Sequence, residues 1–217
     1  MDDDLILDVI VKTQKNKLTS RITLAENFDF TLYSVRQVLL PYLNAPIVGE
    51  ADNPCAETFS GIRGNIVLTT ASASGIQWWT PDCPALYSLK SELISPDGKV
   101  SCSREDIIAF RDIRFDGRHL FLNGLKLLKS QYEKIQILTL PLEPEQVKGC
   151  NEAGGLIVVR IDQPMDEKSL LRALDGLWNS PSLITWYVSQ KKALRPMEAL
   201  LSRIDGTRPL IGKFSPE

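Results

Sequence analysis

The chain has 217 residues, 43% of them apolar, and a formal net charge of −2. That mass can bury a core without metal or disulfide staples. The near-neutral balance leaves no basic field to attract nucleic acid, and no stretch approaches the ~20 apolar residues of a membrane-spanning helix.

The chain opens MDDDLILDVIV. It carries acid where a secretory leader carries base, and its apolar part is short and interrupted by Asp8. We therefore expect a soluble, unexported, cytoplasmic chain, with Asp2-Asp3-Asp4 solvated. The four cysteines, Cys55, Cys83, Cys102 and Cys150, form no CxxC pair, and the single histidine is His119. That is too few closely spaced ligands for a structural zinc, so four reduced thiols are expected. No G-x-S-x-G, phosphate-cradling or dinucleotide-binding glycine pattern occurs. No cofactor and no metal are expected.

In chain order, Leu5–Val11 is a β-rich run. Arg21–Leu24 and the alternating Phe28–Tyr33 predict further strands, Val35–Leu43 is apolar and ends at Pro41-Tyr42, and Asn65–Thr70 is another strand candidate. Ala85–Ile94 and Lys99–Cys102 flank Ser95-Pro96-Asp97-Gly98. This is a hairpin signal, because proline presets one turn dihedral and glycine takes the positive-φ position. Many short strands separated by turn chemistry predict a β-sandwich.

The pattern changes near residue 125. Lys134–Leu140 is a strand, Glu143–Ala153 a short helix stopped by Gly154-Gly155, and Leu156–Ile161 an apolar strand of the kind buried on both faces of a parallel sheet. Asp166–Trp178 has helical spacing, Leu183–Val188 is a strand, and Lys191–Ile204 is a helix with Leu194, Met197, Leu200, Leu201 and Ile204 on one face. Arg208–Gly212 is a last strand candidate. Strands alternating with helices predict βαβ units and a parallel sheet. The chain thus divides into a sandwich over residues 1–124 and an α/β segment over 125–217.

Trp79-Thr80-Pro81-Asp82-Cys83-Pro84-Ala85-Leu86-Tyr87 resembles the W-[ST]-P-x-x-P-x-L-Y segment of glycoside hydrolase family 2. Asp97-Gly98-Lys99-Val100, Ala109-Phe110-Arg111-Asp112-Ile113 and Asp116-Gly117-Arg118-His119-Leu120-Phe121-Leu122-Asn123-Gly124 are similar to that family's following hairpin, its G-F-R-x-I stretch and its F-x-L-N-G entry to the barrel. Further on, Glu145–Val158 resembles a helix-to-strand passage of the family, Asn179–Trp186 its N-H-P-S-[IV]-x-x-W, and Asp205–Leu210 its D-P-T-R-P-V. The resemblance implies an immunoglobulin-like sandwich followed by part of a TIM barrel. It assigns structural roles to Trp79, Pro81, Pro84, Tyr87, Arg111, Asn123 and Gly124, with the tryptophan capping one end of the sandwich core.

Retaining glycosidases need two carboxyl groups ~5 Å apart, a nucleophile and an acid/base. In the family the acid/base ends a W-x-x-G-N-E motif. Here Trp186-Tyr187-Val188-Ser189-Gln190-Lys191 stands in its place, so Lys191 falls at the acid/base position and Gln190 at the neighbouring asparagine. An ammonium group is a poor proton donor at neutral pH and repels a developing oxocarbenium ion. Arg160-Ile161 stand where an acidic pair is common, and the second glutamate belongs to a strand beyond those this chain supplies. We therefore expect a pseudoenzyme, a non-catalytic interaction or scaffold subunit whose partner is another protein or a second copy. Two alternatives remain open. One is a carbohydrate-binding module using Trp186, Tyr187 and Gln190 with the tryptophans at 78 and 79. The other is a glycosidase completed by another chain, with Asp162 as a contributing acid.

Overall fold

Strand signals dominate the sequence, and strands dominate the structure, a computed structural model that describes residues 5–26, 28–45, 54–133, 135–174 and 177–212. The Asp2–Asp4 run and Lys134 lie outside the described residues. By packing, the chain forms two units, Met1–Gln77 with Ala85–Phe110, and Trp78–Pro84 with Arg111–Glu217.

The first unit contains β1 (Ile6–Gln14), β2 (Lys17–Leu24), β3 (Ser34–Pro41), β4 (Ala56–Gly61), β5 (Ile66–Ser72), β6 (Tyr87–Ile94) and β7 (Val100–Ile108). They form two antiparallel sheets, ordered β1-β2-β5 and β4-β3-β6-β7. Alternation explains the layering: in β5 every second residue is buried, as in β2. Ile22, Leu24 and Val67 from one sheet and Val35, Leu39, Leu89 and Leu93 from the other share one apolar core. Each such side chain contributes about 1.5–3 kcal/mol by leaving water. The Pro-Asp-Gly turn forms as expected, with Gly98 at φ 82° and its N–H donating to Ser95 O at 2.9 Å.

A polar bridge crosses this core. Gln37 of β3 donates to Ser91 Oγ of β6 at 2.8 Å and accepts from Thr69 Oγ1 of β5. All three residues are buried. Gln37→Ala strands two buried hydroxyls, and a urea midpoint measurement is expected to show about 1–3 kcal/mol of lost stability.

One strand expectation changes. Phe28–Tyr33 alternates like a strand but is a loop. Asp29 Oδ1 accepts the Thr31 N–H at 2.9 Å, Leu32 sits at φ 70°, and the Tyr33 N–H returns to Phe30 O at 3.0 Å. An Asx-type turn thus outcompetes the ladder, and the alternating aromatics pack on one another: the Phe28 and Phe30 ring centroids are 4.8 Å apart. Conversely β4, with only Ala56 fully inside, gave no apolar run to find.

The second unit holds β8 (Ile113–Phe115), β9 (Leu120–Leu122), β10 (Leu125–Lys126), α1 (Lys129–Tyr132), β11 (Ile135–Thr139), α2 (Pro144–Ala153), β12 (Leu156–Ile161), α3 (Glu167–Ala173), β13 (Leu183–Val188), α4 (Lys191–Ile204) and β14 (Leu210–Ile211). β8, β9 and β10 make a small antiparallel sheet, whose Asn123-Gly124 turn has both residues at positive φ (54° and 81°), as a two-residue hairpin turn of this twist requires. β11-β12-β13-β14 is parallel throughout. The near-continuous burial of β12 and β13 matches strands covered on both faces.

The helices have readable ends. α2 starts on Pro144, which lacks only an N–H the helix leaves unused, and stops on Gly154 at φ 70°. α3 is capped by Asp166, which accepts the Ser169 N–H at 2.7 Å, and it ends at Ala173, shorter than its periodicity suggested. α4 buries Ala193, Met197, Leu201 and Ile204, while Leu194 and Leu200 lie half-buried at the margin. No helix of the described residues is long and apolar enough to cross a membrane, and none of the four cysteines is in a disulfide.

Candidate functional site

Because β11, β12 and β13 run parallel, their carboxyl ends bring Thr139, Ile161 and Val188 to one side of the sheet, where open α/β sheets bind ligands. A cavity of about 460 Å³ opens there, lined among others by Thr139, Arg160, Asp162, Met165, Asp166 and Ser169. Just past β13, the Ser189 N–H extends the pairing to Ile161 O at 3.2 Å, bringing its hydroxyl near β12.

The carboxylates at these strand ends are engaged. Asp162 Oδ1 accepts from Ser189 Oγ at 2.7 Å and from Arg160 Nε at 2.6 Å. The Ser189 hydroxyl and the guanidinium together hold its carboxyl below the usual range. Asp166 is held low chiefly by the Ser169 N–H it caps. Neither carboxyl is raised toward neutrality, as a general acid must be. Sequence reasoning named Asp162 but missed Ser189, whose role follows only from the pairing of β12 with β13.

Lys191 is the first residue of α4 and Gln190 precedes it; both are exposed. They stand just after β13, and among the described residues neither lines the cavity.

A shared stacking platform of Trp186, Tyr187 and Gln190 is not what the structure contains. Successive side chains of a strand point to opposite faces, so Trp186 and Tyr187 diverge. Trp186 is fully buried. Its Nε1 donates to Asp205 Oδ2 at 2.9 Å, its ring lies 6.1 Å from that of Trp178, and the Arg208 guanidinium sits 5.8 Å from its centroid. Burial pushes the Asp205 carboxyl up, but Arg208, Thr207 and Trp186 together outweigh it, and the group is held below its ordinary value. Arg208 also donates to Leu183 O at 2.6 Å and to Ser180 O at 3.2 Å. Arg111 reaches the same two carbonyls at 3.0 and 3.2 Å, and burial followed by the neighbouring Arg208 charge lowers its pKa well below normal. This buried ionic cluster was not foreseen beyond the structural role given to Arg111.

The tryptophan expected to cap the sandwich core has another place. Trp79 is fully buried within the second unit, where its Nε1 donates to Asn151 O at 3.2 Å. Asn123 Nδ2 donates to Trp79 O at 2.9 Å, and its Oδ1 accepts the Asp112 N–H at 2.9 Å. Pro81 lies against Gly154, and Pro84 ends the inserted segment. Tyr87 belongs to the first unit, fully buried with its ring edge-on to Phe110 at 5.5 Å. Among tryptophans only the half-buried Trp78 of that segment keeps part of its surface outside the core. His119 sits in an exposed turn beside Asp116, at 3.5 Å. Among the described residues no group of three or more His, Cys, Asp or Glu could hold a metal.

No protein-family model matches the chain, and no curated protein matches it. Solved structures do. A glycosyl hydrolase family 2 member from Bacteroides cellulosilyticus superposes with a TM-score of 0.73 at 15% identity, covering 96% of this chain and 34% of that one. A Bacteroides uniformis beta-glucuronidase gives 0.64 at 16% identity, covering 93% and 32%. A beta-D-mannosidase from Dictyoglomus thermophilum gives 0.65 at 14%, covering 94% and 34%. The chain therefore has a glycoside hydrolase family 2-like fold over nearly its whole length. It spans about a third of the length of these structures.

Proposed function

We propose that this chain is a non-catalytic interaction module, a pseudoenzyme built on an immunoglobulin-like sandwich and a barrel-like α/β unit. One observation supports the reading: in the cavity at the ends of the parallel strands Asp162 is already bound to Arg160 and Ser189, and the motif resemblance assigns the acid/base position to the Lys191 ammonium. Neither group is a free acid, and a retaining mechanism requires two convergent ones. A docking role is supported by β11, which pairs on one side only among the described residues and exposes Gln136, Ile137 and Thr139 without a charge to block further pairing. Its partner is another protein chain or a second copy.

The test is hydrolysis of aryl galactosides, mannosides and glucuronides. No nitrophenol release above background is expected, and Lys191→Glu is expected to stay silent too, because one carboxylate without its pair does not catalyse. Release that Asp162→Asn abolishes would restore the glycosidase reading, including one completed by another chain. The mixed polar and apolar lining of the cavity favours one second reading, carbohydrate binding without cleavage. A glycan array signal lost in Asp162→Ala would support it, and a silent array would remove it.

A further inference from the structure

Residues 78–84 interrupt the first unit in sequence yet belong to the second. The first unit closes the base of this loop. The Tyr87 hydroxyl accepts the Gln77 N–H at 2.7 Å and donates to Gln77 O at 3.3 Å. Leu86 N–H bonds Leu43 O at 2.7 Å, and Ser74 N–H bonds Cys55 O at 2.8 Å, so both flanks are tied to that unit, just past the end of β3 and just before the start of β4. The tip is rigid by itself: Thr80 and Cys83 exchange backbone bonds at 3.0 and 3.2 Å. In the second unit the tip takes Trp79 into full burial, bonds Asn151 and Asn123, and lays Pro81 where a side chain on Gly154 would stand.

We infer that Trp78–Pro84 is a strap that makes the two units fold and unfold as one. A segment held at both ends enters its seat with little entropy left to lose, whereas the same residues on a loose loop must be ordered as they bind. The first unit therefore stabilises the second by presenting the strap, and the second unit, by holding it, stabilises the first. Tyr87, which does not belong to the second unit, acts as its positioning residue through one hydroxyl.

All four tryptophans lie in the second unit, so their fluorescence reports that unit alone. Hydrogen exchange of the β3 and β6 amides reports the first. In urea titrations of the full chain, both probes are expected to share one midpoint. Tyr87→Phe, which deletes only the hydroxyl, is expected to lower the folding equilibrium constant on the order of tenfold by both probes. Trp79→Phe, which keeps the ring but removes the indole N–H, reads the coupling from the other side and is expected to shift the β3 and β6 amides as well. Short Gly-Ser inserts on both sides of the strap retain every contacting side chain and are expected to split the transition in two. Either point variant moving only one probe, or the inserts leaving a single unchanged transition, would overturn the inference.

Discussion

Gly154→Ala is expected to be the most damaging small substitution among the described residues, removing at least ~4 kcal/mol of folding stability. Two separate costs meet there. The residue ends α2 at φ 70°, a conformation that costs an L-residue about 1–2 kcal/mol. Its new Cβ would also run into Pro81 O and lie 2.7 Å from Pro81 C, so backbone, not a flexible side chain, must retreat. Retreat of Pro81 disturbs the segment that carries Trp79 into the core. Gly98→Ala separates the two costs: it has φ 82° but nothing within 4 Å of its Cβ. It is expected to lose only the conformational ~1–2 kcal/mol. Equal losses for the two variants, measured by urea denaturation, would show that the contact with Pro81 is unimportant.

Arg208→Met is expected to cost about 3–5 kcal/mol at pH 7, the usual loss when one partner of a buried ion pair is removed. The Arg208 and Asp205 side chains are 3% and 2% exposed and lie 2.9 Å apart, and the same guanidinium satisfies the carbonyls of Trp178, Ser180 and Leu183. The variant leaves Asp205 buried with Trp186 and Thr207 but without its nearest cation. In the native protein the Asp205 carboxyl lies below its unfolded value, so its stabilisation is present above about pH 4 and is lost as pH falls through the folded pKa. In the variant burial dominates and the carboxyl rises, Arg111 offsetting part of the change, so protonation now relieves the folded state. The deficit of Arg208→Met is therefore expected to shrink from pH 7 to pH 4. Tryptophan fluorescence in urea at both pH values measures it, and a deficit independent of pH would remove Asp205 from the explanation.

Much of the architecture could be read from local pattern. β2 and β5 alternate, α2 lies between Pro144 and Gly154, and Asn123-Gly124 and Pro96-Asp97-Gly98 carry turn chemistry that few other conformations tolerate. Each signal rests on neighbours within a few residues, where sterics and hydrogen bonding act without help from the rest of the fold. Phe28–Tyr33 shows the limit. A period of two does not distinguish a strand from a turn that brings alternate aromatics together, and the Asp29–Thr31 bond settled the matter.

Little of the candidate site was legible in the sequence. The proposed places of Lys191 and Gln190 at the acid and asparagine positions rest on the motif resemblance alone, since a motif position is a property of sequence. What the remaining groups do was not legible, because it depends on pairs far apart in the chain. Asp162 finds Ser189 across two adjacent parallel strands, and Trp186 turns from a candidate sugar platform into a core residue because Asp205 and Arg208 close over it. Trp79 follows the same logic. Its motif marked it as structural, but which core it fills was decided by Asn151, Asn123 and Gly154, residues 44 to 75 positions away. Residue chemistry alone set most of the elements and their turns; long-range burial and hydrogen bonding chose which side chains were left to face solvent.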